Sequence, residues 1–175
     1  MDQAKVNQHF AVTFADQLAR SGVTEVCLAP GSRSAPLALA FARHDALRTF
    51  VLIDERCCSF FAVGLAKASG RPVAILCTSG TAAAEFHPAV VEASYSHTPL
   101  LVLTADRPPE LIGVGANQAI DQTRLYGTAV RWFHDPGPLQ EGGDGQALAA
   151  RAVAEAMGPP AGPIHLNLPF REPLV

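Results

Sequence analysis

Apolar residues recur along the chain with two periods, and the two alternate from one end of the sequence to the other. Near the start, a four-residue spacing predicts an amphipathic helix that ends at Ser21-Gly22. Its apolar positions are Val6, Phe10, Phe14 and Leu18. Between such helical stretches lie short, nearly uninterrupted apolar runs, which are typical of strands buried on both faces.

Six of these runs predict strands, at residues 26–28, 49–53, 73–77, 100–104, 129–133 and 164–168. Helices are predicted over residues 56–68, 81–95 and 146–157, and Ser34 can cap a further helix with Pro36 in its first turn. This alternation predicts an α/β fold: a three-layer domain with a mainly parallel sheet of about six strands and helices on both faces. We expect residues 1–175 to form one domain.

Polar loops follow four of the predicted strands. They are Gly31-Ser32-Arg33, Asp54-Glu55-Arg56, Thr78-Ser79-Gly80-Thr81 and Asp106-Arg107. In open α/β sheets, ligands bind outside the carboxyl ends of the strands. The sequence therefore predicts a binding site at this edge.

Composition excludes several other classes of protein. The net charge is −3 and no basic run occurs, so a nucleic-acid partner is not expected. The first residues lack the basic-then-apolar layout of a signal peptide, and no apolar run reaches the ~20 residues of a membrane span. None of Cys27, Cys57, Cys58 and Cys77 forms a C-x-x-C pair, so we expect reduced thiols in a cytoplasmic protein.

Several familiar motifs are incomplete. Residues 113–118 offer two glycines of a dinucleotide-binding loop but end in Gln118, and no strand precedes them. Ser79 lacks the flanking glycines of a hydrolase nucleophile elbow. The six histidines show no metal-ligand spacing, and none of the residues is predicted to bind a metal.

Glu55 stands between an apolar strand and an apolar helix. Burial would raise the pKa of such a carboxyl group, whereas the helix dipole would lower it. Two interpretations remain open from these residues alone: a proton-sharing catalytic group, or an acid that merely stabilises the start of the helix.

Arg33 and Arg107 each follow a strand and lie beside glycine or proline. A guanidinium on a fixed loop can hold a carboxylate through two parallel hydrogen bonds. The alternative for each is a solvated surface charge. Two arginines at one sheet edge, in a chain of only 17% charged residues, favour anion binding.

Six strings, in order along the chain, carry a resemblance to a known family. They are Ala29-Pro30-Gly31-Ser32-Arg33-Ser34-Ala35-Pro36, Asp54-Glu55-Arg56, Thr78-Ser79-Gly80-Thr81-Ala82, Thr104-Ala105-Asp106-Arg107-Pro108-Pro109-Glu110-Leu111, Gly115-Ala116-Asn117-Gln118 and His165-Leu166-Asn167-Leu168-Pro169-Phe170-Arg171-Glu172-Pro173-Leu174. Together they resemble the N-terminal, pyrimidine-binding region of the MenD family, the 2-succinyl-5-enolpyruvyl-6-hydroxy-3-cyclohexene-1-carboxylate synthases of menaquinone biosynthesis. Glu85 departs from the Asn of many members, and we expect it to lie in a helix away from the loop residues.

The resemblance implies a transferase that uses thiamine diphosphate with Mg²⁺ or manganese. Glu55 would be the catalytic residue, because a carboxyl sharing a proton with the pyrimidine ring favours the imino tautomer that deprotonates the cofactor's C2. It also implies cofactor contacts from the loops that hold Pro30, Gly31, Ser79, Gly80 and Thr81. The substrates would be 2-oxoglutarate and isochorismate, bound by residues matching Ser32, Arg33, Arg107 and Gln118.

The diphosphate and metal ligands are expected elsewhere. Gly143-Asp144-Gly145 imitates part of the diphosphate motif, but no Asn-Asn follows it, so the middle and diphosphate-binding domains of the family are absent from this sequence. We therefore expect this chain alone to be inactive. We also expect the protein to form a homodimer or homotetramer. Two alternatives stay open: the pyrimidine-binding domain of an acetolactate synthase or decarboxylase, and a non-catalytic assembly module.

Overall fold

Strands and helices alternate in the computed structural model, which describes residues 2–143 and 145–175. The strands are β1 (Glu25–Leu28), β2 (Arg48–Val51), β3 (Val73–Cys77), β4 (Leu100–Asp106), β5 (Trp132–His134) and β6 (Pro163–Pro169). The helices are α1 (Gln3–Arg20), α2 (Ala35–Ala42), α3 (Glu55–Ser69), α4 (Thr81–Glu85), α5 (His87–Tyr95) and α6 (Gly145–Met157). Short 3₁₀ turns occur at Pro109–Leu111 and Gly127–Ala129.

The strands form one parallel sheet in the order β2-β1-β3-β4-β6-β5. The central strands β3, β4 and β6 are buried along their whole length, as their mainly apolar sequences require, and the buried polar residues Thr104, Asp106, His165 and Asn167 lie within β4 and β6. The predicted parallel α/β sheet is confirmed. Because the chain moves outward from β1 to β2 and then returns to β3, the sheet has a switch point beside β1, where such folds open a crevice.

Helices cover both faces of the sheet, and each face has its own core. On one face, α1, α2 and α6 bury Phe14, Leu18 and Phe41 completely. On the other, α3, α4 and α5 enclose Phe86 and Tyr126. Within the described ranges, no helix is long and apolar enough to cross a membrane.

The single helix predicted over residues 81–95 is wrong. The structure has two helices, α4 and α5, which meet at Phe86. Pro88 lies in the first turn of α5, and proline cannot continue a helix because it lacks the N–H and its ring meets the carbonyl four residues earlier. The break follows from that one residue.

Two local predictions also shift. The strand predicted at residues 129–133 begins at Trp132, since pairing with β6 sets Trp132 opposite Ile164. Ser34 does occupy the residue before α2, but its hydroxyl donates to the carbonyl of Gly31 at 3.0 Å and makes no bond to the helix. Pro36 stands in the first turn of α2, as expected.

Candidate functional site

The loops that leave the parallel strands meet at one edge of the sheet, as the sequence predicts. The loops after β1 and β3 come into close contact at Gly31 and Thr78. A Cβ atom added to Gly31 would lie 2.3 Å from the Cβ of Thr78, so a side chain cannot be accommodated there. Pro30 and Ser32, on either side of Gly31, are exposed at the rim.

Glu55 opens helix α3 directly after the N-cap residue Asp54. The Asp54 carboxylate accepts the N–H of Cys57 at 2.9 Å, and this bond, with Arg56, lowers the pKa of Asp54 to about 2. Asp54 therefore takes the capping role, which leaves Glu55 free for another. The half-buried Glu55 carboxylate forms no hydrogen bond or ion pair with the described residues. It lines a hollow of about 340 Å³.

Glu85 lies beside this hollow, and its expected place away from the loop residues is wrong. It is the last residue of α4, and it lines the same hollow as Glu55 and Asp54. Its Oε2 is 3.6 Å from the Nε of Arg56, so it reaches the start of α3. The sequence placed Glu85 on a helix correctly but gave no sign that α4 packs against α3.

Arg33 is almost entirely buried, with 4% of its surface exposed. Its Nη1 donates to the carbonyl of Phe170 at 2.9 Å, and its Nη2 donates to Glu172 at 2.8 Å. The Nε atom is buried without a partner among the described residues. Arg33 thus ties the loop after β1 to the chain that leaves β6, and Glu172, itself largely exposed, already supplies one carboxylate.

Arg107 lies near Arg33 at the same edge, after β4. Its Nε and Nη2 both donate to the carbonyl of Asn117, at 3.2 and 3.1 Å. Partial burial and the charge of Arg33 lower the pKa of Arg107. The structure thus brings the two predicted arginines near each other at this edge of the sheet. Two neighbouring positive charges favour an anionic ligand.

Ser79 and Gly80 are buried, whereas the adjacent Thr81 is exposed at the start of α4. The Ser79 hydroxyl donates to the Gln118 carbonyl at 2.9 Å, and Gln118 returns a bond from its Nε2 to the Ser79 carbonyl at 3.1 Å. The Gly80 N–H donates to Oε1 of Gln122 at 2.8 Å. The proposed substrate residue Gln118 and the proposed cofactor loop are therefore one hydrogen-bonded unit.

A buried polar network centred on Asn167 lies beneath the site, and the sequence analysis did not predict it. Asn167 of β6 donates to the carboxylates of Asp106, at 2.8 Å, and Asp135, at 2.9 Å. Its side-chain oxygen accepts bonds from Thr104 and Gln122. Burial raises the pKa of Asp106, against the lowering effect of the Asn167 bond. The sign of this network in the sequence is Asn167, a polar residue within the strand predicted at residues 164–168.

The residues present fit one end of a cofactor better than a metal ion. Among the described residues, no group of three or more His, Cys, Asp or Glu could hold a metal. Of Gly143-Asp144-Gly145, Asp144 lies outside the described residues. Gly145 packs against α1, where an added Cβ would lie 2.7 Å from the Thr13 hydroxyl. A free, half-buried carboxylate such as Glu55 is suited to a ring nitrogen that carries a proton.

Comparison with curated proteins gives several relatives named 2-succinyl-5-enolpyruvyl-6-hydroxy-3-cyclohexene-1-carboxylate synthase. The chain is 54% identical over 178 residues to the protein from Haloquadratum walsbyi, covering 99% of this chain and 29% of that protein. It is 58% identical to the protein from Geobacillus kaustophilus and 60% identical to that from Thermobifida fusca, covering 95% and 91% of this chain. The chain spans 30% of the length of each of these two relatives.

A family model described as "Thiamine pyrophosphate enzyme, N-terminal TPP binding domain" matches residues 8–125. This range includes the first four strands and the loops that follow them, together with Glu55, Arg33, Arg107 and Gln118. More than half of the chain is matched, and the relatives agree with the match. The chain therefore belongs to the family of N-terminal TPP-binding domains of thiamine pyrophosphate enzymes.

Proposed function

We propose that this chain is the pyrimidine-binding domain of a thiamine diphosphate-dependent transferase that decarboxylates 2-oxoglutarate and joins the remaining four-carbon unit to isochorismate. The name shared by relatives at 50–60% identity supports this reaction over that of an acetolactate synthase. The single observation that carries the proposal is the Glu55 carboxylate, half-buried and unpaired at the carboxyl edge of the sheet.

Glu55 would hold the pyrimidine end of thiamine diphosphate. When bound, the cofactor supplies the carbon nucleophile for the reaction. Glu55 would hold a proton between its carboxylate and a ring nitrogen, and Asp54 leaves it free by capping α3. The loop of Ser79, Gly80 and Thr81 and the rim residues Pro30 and Gly31 would shape the surrounding wall. The diphosphate and its Mg²⁺ or manganese ion would be held outside this chain.

Arg33 and Arg107 would receive the carboxylates of the substrates. Both 2-oxoglutarate and isochorismate are dicarboxylates, and a pair of close guanidinium groups is suited to such anions. Gln118, whose side chain is exposed and anchored on Ser79, and the exposed Ser32 would add neutral hydrogen bonds at the rim. The proximity of the two guanidinium groups, each of which affects the other's surroundings, supports this assignment.

We further propose that the protein is a cytoplasmic homodimer or homotetramer without a nucleic-acid partner. The four cysteines carry free thiols, including the exposed Cys57, and free thiols suit a reducing compartment. Exposed apolar side chains on α3 and α5 offer an association surface; they include Phe60, Phe61 and Tyr95.

The decisive test is Glu55→Gln in the complete protein that carries this chain. An amide cannot share the proton in the same way, so exchange of the cofactor C2 hydrogen for deuterium should slow by about 10²–10⁴-fold. Glu155→Gln, on the distant helix α6, is the matched control and should exchange at the wild-type rate. Unchanged exchange in Glu55→Gln would remove Glu55 from the reaction.

Substrate choice is tested separately. The purified complete protein should consume 2-oxoglutarate in the presence of isochorismate and should leave pyruvate unused. Turnover of pyruvate to acetolactate would instead assign the chain to the alternative thiamine diphosphate enzymes.

A further inference from the structure

An irregular stretch between β4 and β5 is hydrogen-bonded to the loop after β3 and to helix α4, which follows that loop. Residues 117–126, the clasp segment, make the contacts. Ser79 and Gln118 exchange two hydrogen bonds, and the buried Tyr126 donates its hydroxyl to the carbonyl of Ala83 at 2.7 Å. Between these two attachments lies Gln122, with 1% of its surface exposed.

The Gln122 side chain joins three elements. Its Nε2 donates to the carbonyl of Ala105 on β4, at 3.2 Å, and to Oδ1 of Asn167 on β6, at 2.8 Å. Its Oε1 accepts the N–H of Gly80 at 2.8 Å. Both ends of the amide are engaged, so Gln122 holds Gly80 at a fixed distance from the two central strands.

Gly80 depends on such external support. Its φ of 85° and ψ of −143° lie in a region open essentially to glycine. An added Cβ would also lie 2.9 Å from the Gln118 side chain. Glycine loses more conformational freedom on ordering than any other residue, so its backbone stays in one place only where its surroundings fix it. Among the described residues, Gln122 is the side chain that accepts a hydrogen bond from the Gly80 N–H.

The orientation of the Gln122 amide is set from below. Asn167 donates both Nδ2 hydrogens to the carboxylates of Asp106 and Asp135, so its Oδ1 must face Gln122. The Nε2 of Gln122 then points towards Asn167, and its Oε1 towards Gly80. Two carboxylates thereby determine which group of Gln122 meets the loop.

We propose that Gln122 is a positioning residue for the cofactor site: it holds the backbone of Gly80, and with it the 78–81 loop, in the arrangement that receives the pyrimidine end of thiamine diphosphate. This inference rests on the proposed function. Gln122 acts through Gly80 and does not itself touch the cofactor.

Gln122→Met removes the hydrogen-bonding groups and keeps the unbranched shape, and Gln122→Leu removes the same groups with a different shape. Thr104→Val is the matched control, because the Thr104 hydroxyl also donates to Asn167, at 2.9 Å, but makes no contact with Gly80. Thermal unfolding of the complete protein carrying each change reports the general loss of stability. Thr104→Val should lose stability comparably, since it too disrupts the buried network.

The first measurement is hydrogen–deuterium exchange at the Gly80 amide, without cofactor, from peptides that end on either side of it. Both Gln122 variants should speed this exchange by roughly 10- to 100-fold, the effect of one lost buried hydrogen bond. Thr104→Val should leave it near the wild-type rate. Equal protection in all four proteins would overturn the inference, whether or not thiamine diphosphate binds.

The second measurement is the dissociation constant of thiamine diphosphate with Mg²⁺. Both Gln122 variants should bind about 10-fold or more weakly, while kcat at saturating cofactor stays within a few-fold of wild type. Wild-type affinity in a variant whose Gly80 amide exchanges fast would show that the loop position does not matter, and the inference would be wrong. If the wild-type protein itself does not bind thiamine diphosphate, the proposed function fails, and the positioning role fails with it.

Discussion

At the scale of single residues, Arg33 and Arg107 look alike in sequence but differ in the structure. Arg33 is buried with both terminal nitrogens engaged, whereas Arg107 is partly exposed and bonded to one carbonyl. Arg33 therefore holds parts of the fold together and is also a residue of the proposed anion site, whereas Arg107 contributes less to the fold and is proposed mainly for the site.

We expect Arg107→Ala to lower kcat/KM by roughly 10- to 200-fold, since one charge-assisted hydrogen bond contributes about 1.5–3 kcal/mol, with little change in thermal stability. Arg33→Ala should lower both kcat/KM and the unfolding temperature, because it leaves the Phe170 carbonyl without its donor. Lysine at position 33 or 107 should restore these properties poorly, because an ammonium group cannot make the two parallel hydrogen bonds of a planar guanidinium. Steady-state kinetics and calorimetry check this, and normal kinetics in both alanine variants would refute the carboxylate role.

His165 gives a pH-dependent prediction. It is buried on β6 beside Tyr126, and burial lowers the pKa of its imidazole to about 3. In the unfolded chain the pKa of histidine is ~6.5. Below that pH, His165 binds a proton in the unfolded state but not in the native state. The contribution of His165 to the free energy of unfolding should therefore fall by about 1.4 kcal/mol per pH unit as the pH decreases further.

His165→Phe keeps a ring in the same place and removes this titration. Urea unfolding between pH 7.5 and 5 should show the stability of the variant gaining on that of the wild type as the pH falls below about 6. The raised pKa of Asp106 has the opposite sign, but it is common to both proteins and cancels in the comparison. If the free energies of unfolding of the two proteins changed in parallel with pH, the prediction that buried His165 is neutral in the native state would be wrong.

At the scale of elements, α1 fastens the chain that leaves β6. The fully buried Asn7 donates from Nδ2 to the carbonyls of Arg171, at 2.9 Å, and Pro173, at 3.0 Å. These carbonyls lie beside Glu172, which pairs with Arg33. The first helix thus supports one wall of the proposed site from the opposite side.

Asn7→Ala should therefore reduce the free energy of unfolding by about 1–3 kcal/mol, because it removes the donor to the carbonyls of Arg171 and Pro173 and to the more distant carbonyl of Leu174. Gln3→Ala is the control, since it removes the bond from Gln3 to Asn7 and leaves the carbonyls bonded. Urea unfolding measures the loss, and faster hydrogen exchange near residues 171–174 should accompany it. Equal stability of the two variants would show that the Asn7 clamp is without effect.

The same elements show what a sequence reveals and what it hides. Strands β4 and β6 were predictable because packing on both faces favours apolar side chains, which occupy most positions of β4 and alternate with His165 and Asn167 in β6. The place of Glu55 at the carboxyl edge of the sheet was predictable because it follows β2 closely in the sequence, whereas its catalytic role remains a proposal. The partners of Arg33 lie 137 and 139 residues away in the chain, and Gln122 sits in a segment with no periodicity, so nothing local could indicate either contact.

At the scale of the whole molecule, large apolar side chains are exposed on the side of the sheet covered by α3 and α5. Phe60 on α3 is 47% exposed, and Tyr95 at the end of α5 is 86% exposed. The 175-residue chain alone should associate through this side at high concentration. Phe60→Glu with Tyr95→Glu should reduce the association, whereas Val12→Glu on α1 should not. Sedimentation equilibrium measures it, and a monomeric wild-type chain would contradict it.

The same chain should fold but bind thiamine diphosphate only at the millimolar scale. Glu55 and two loops offer a few hydrogen bonds, and the described residues provide no group for a metal. Neutral hydrogen bonds contribute about 0.5–1.5 kcal/mol each, from which the entropy of association must be subtracted. Calorimetric titration with Mg²⁺ tests this. Micromolar affinity would reveal a diphosphate site within these residues.

The contact between Gly31 and Thr78 couples two positions in the evolution of the protein. Since the nearest atom to a new Cβ on Gly31 is the Cβ of Thr78, shortening Thr78 to alanine would not relieve the clash. Only a glycine at position 78 would make room. A library that randomises positions 31 and 78 together should therefore yield functional variants with glycine at one or both of these positions. An evolving sequence could move the glycine from position 31 to position 78 only through an intermediate that has glycine at both.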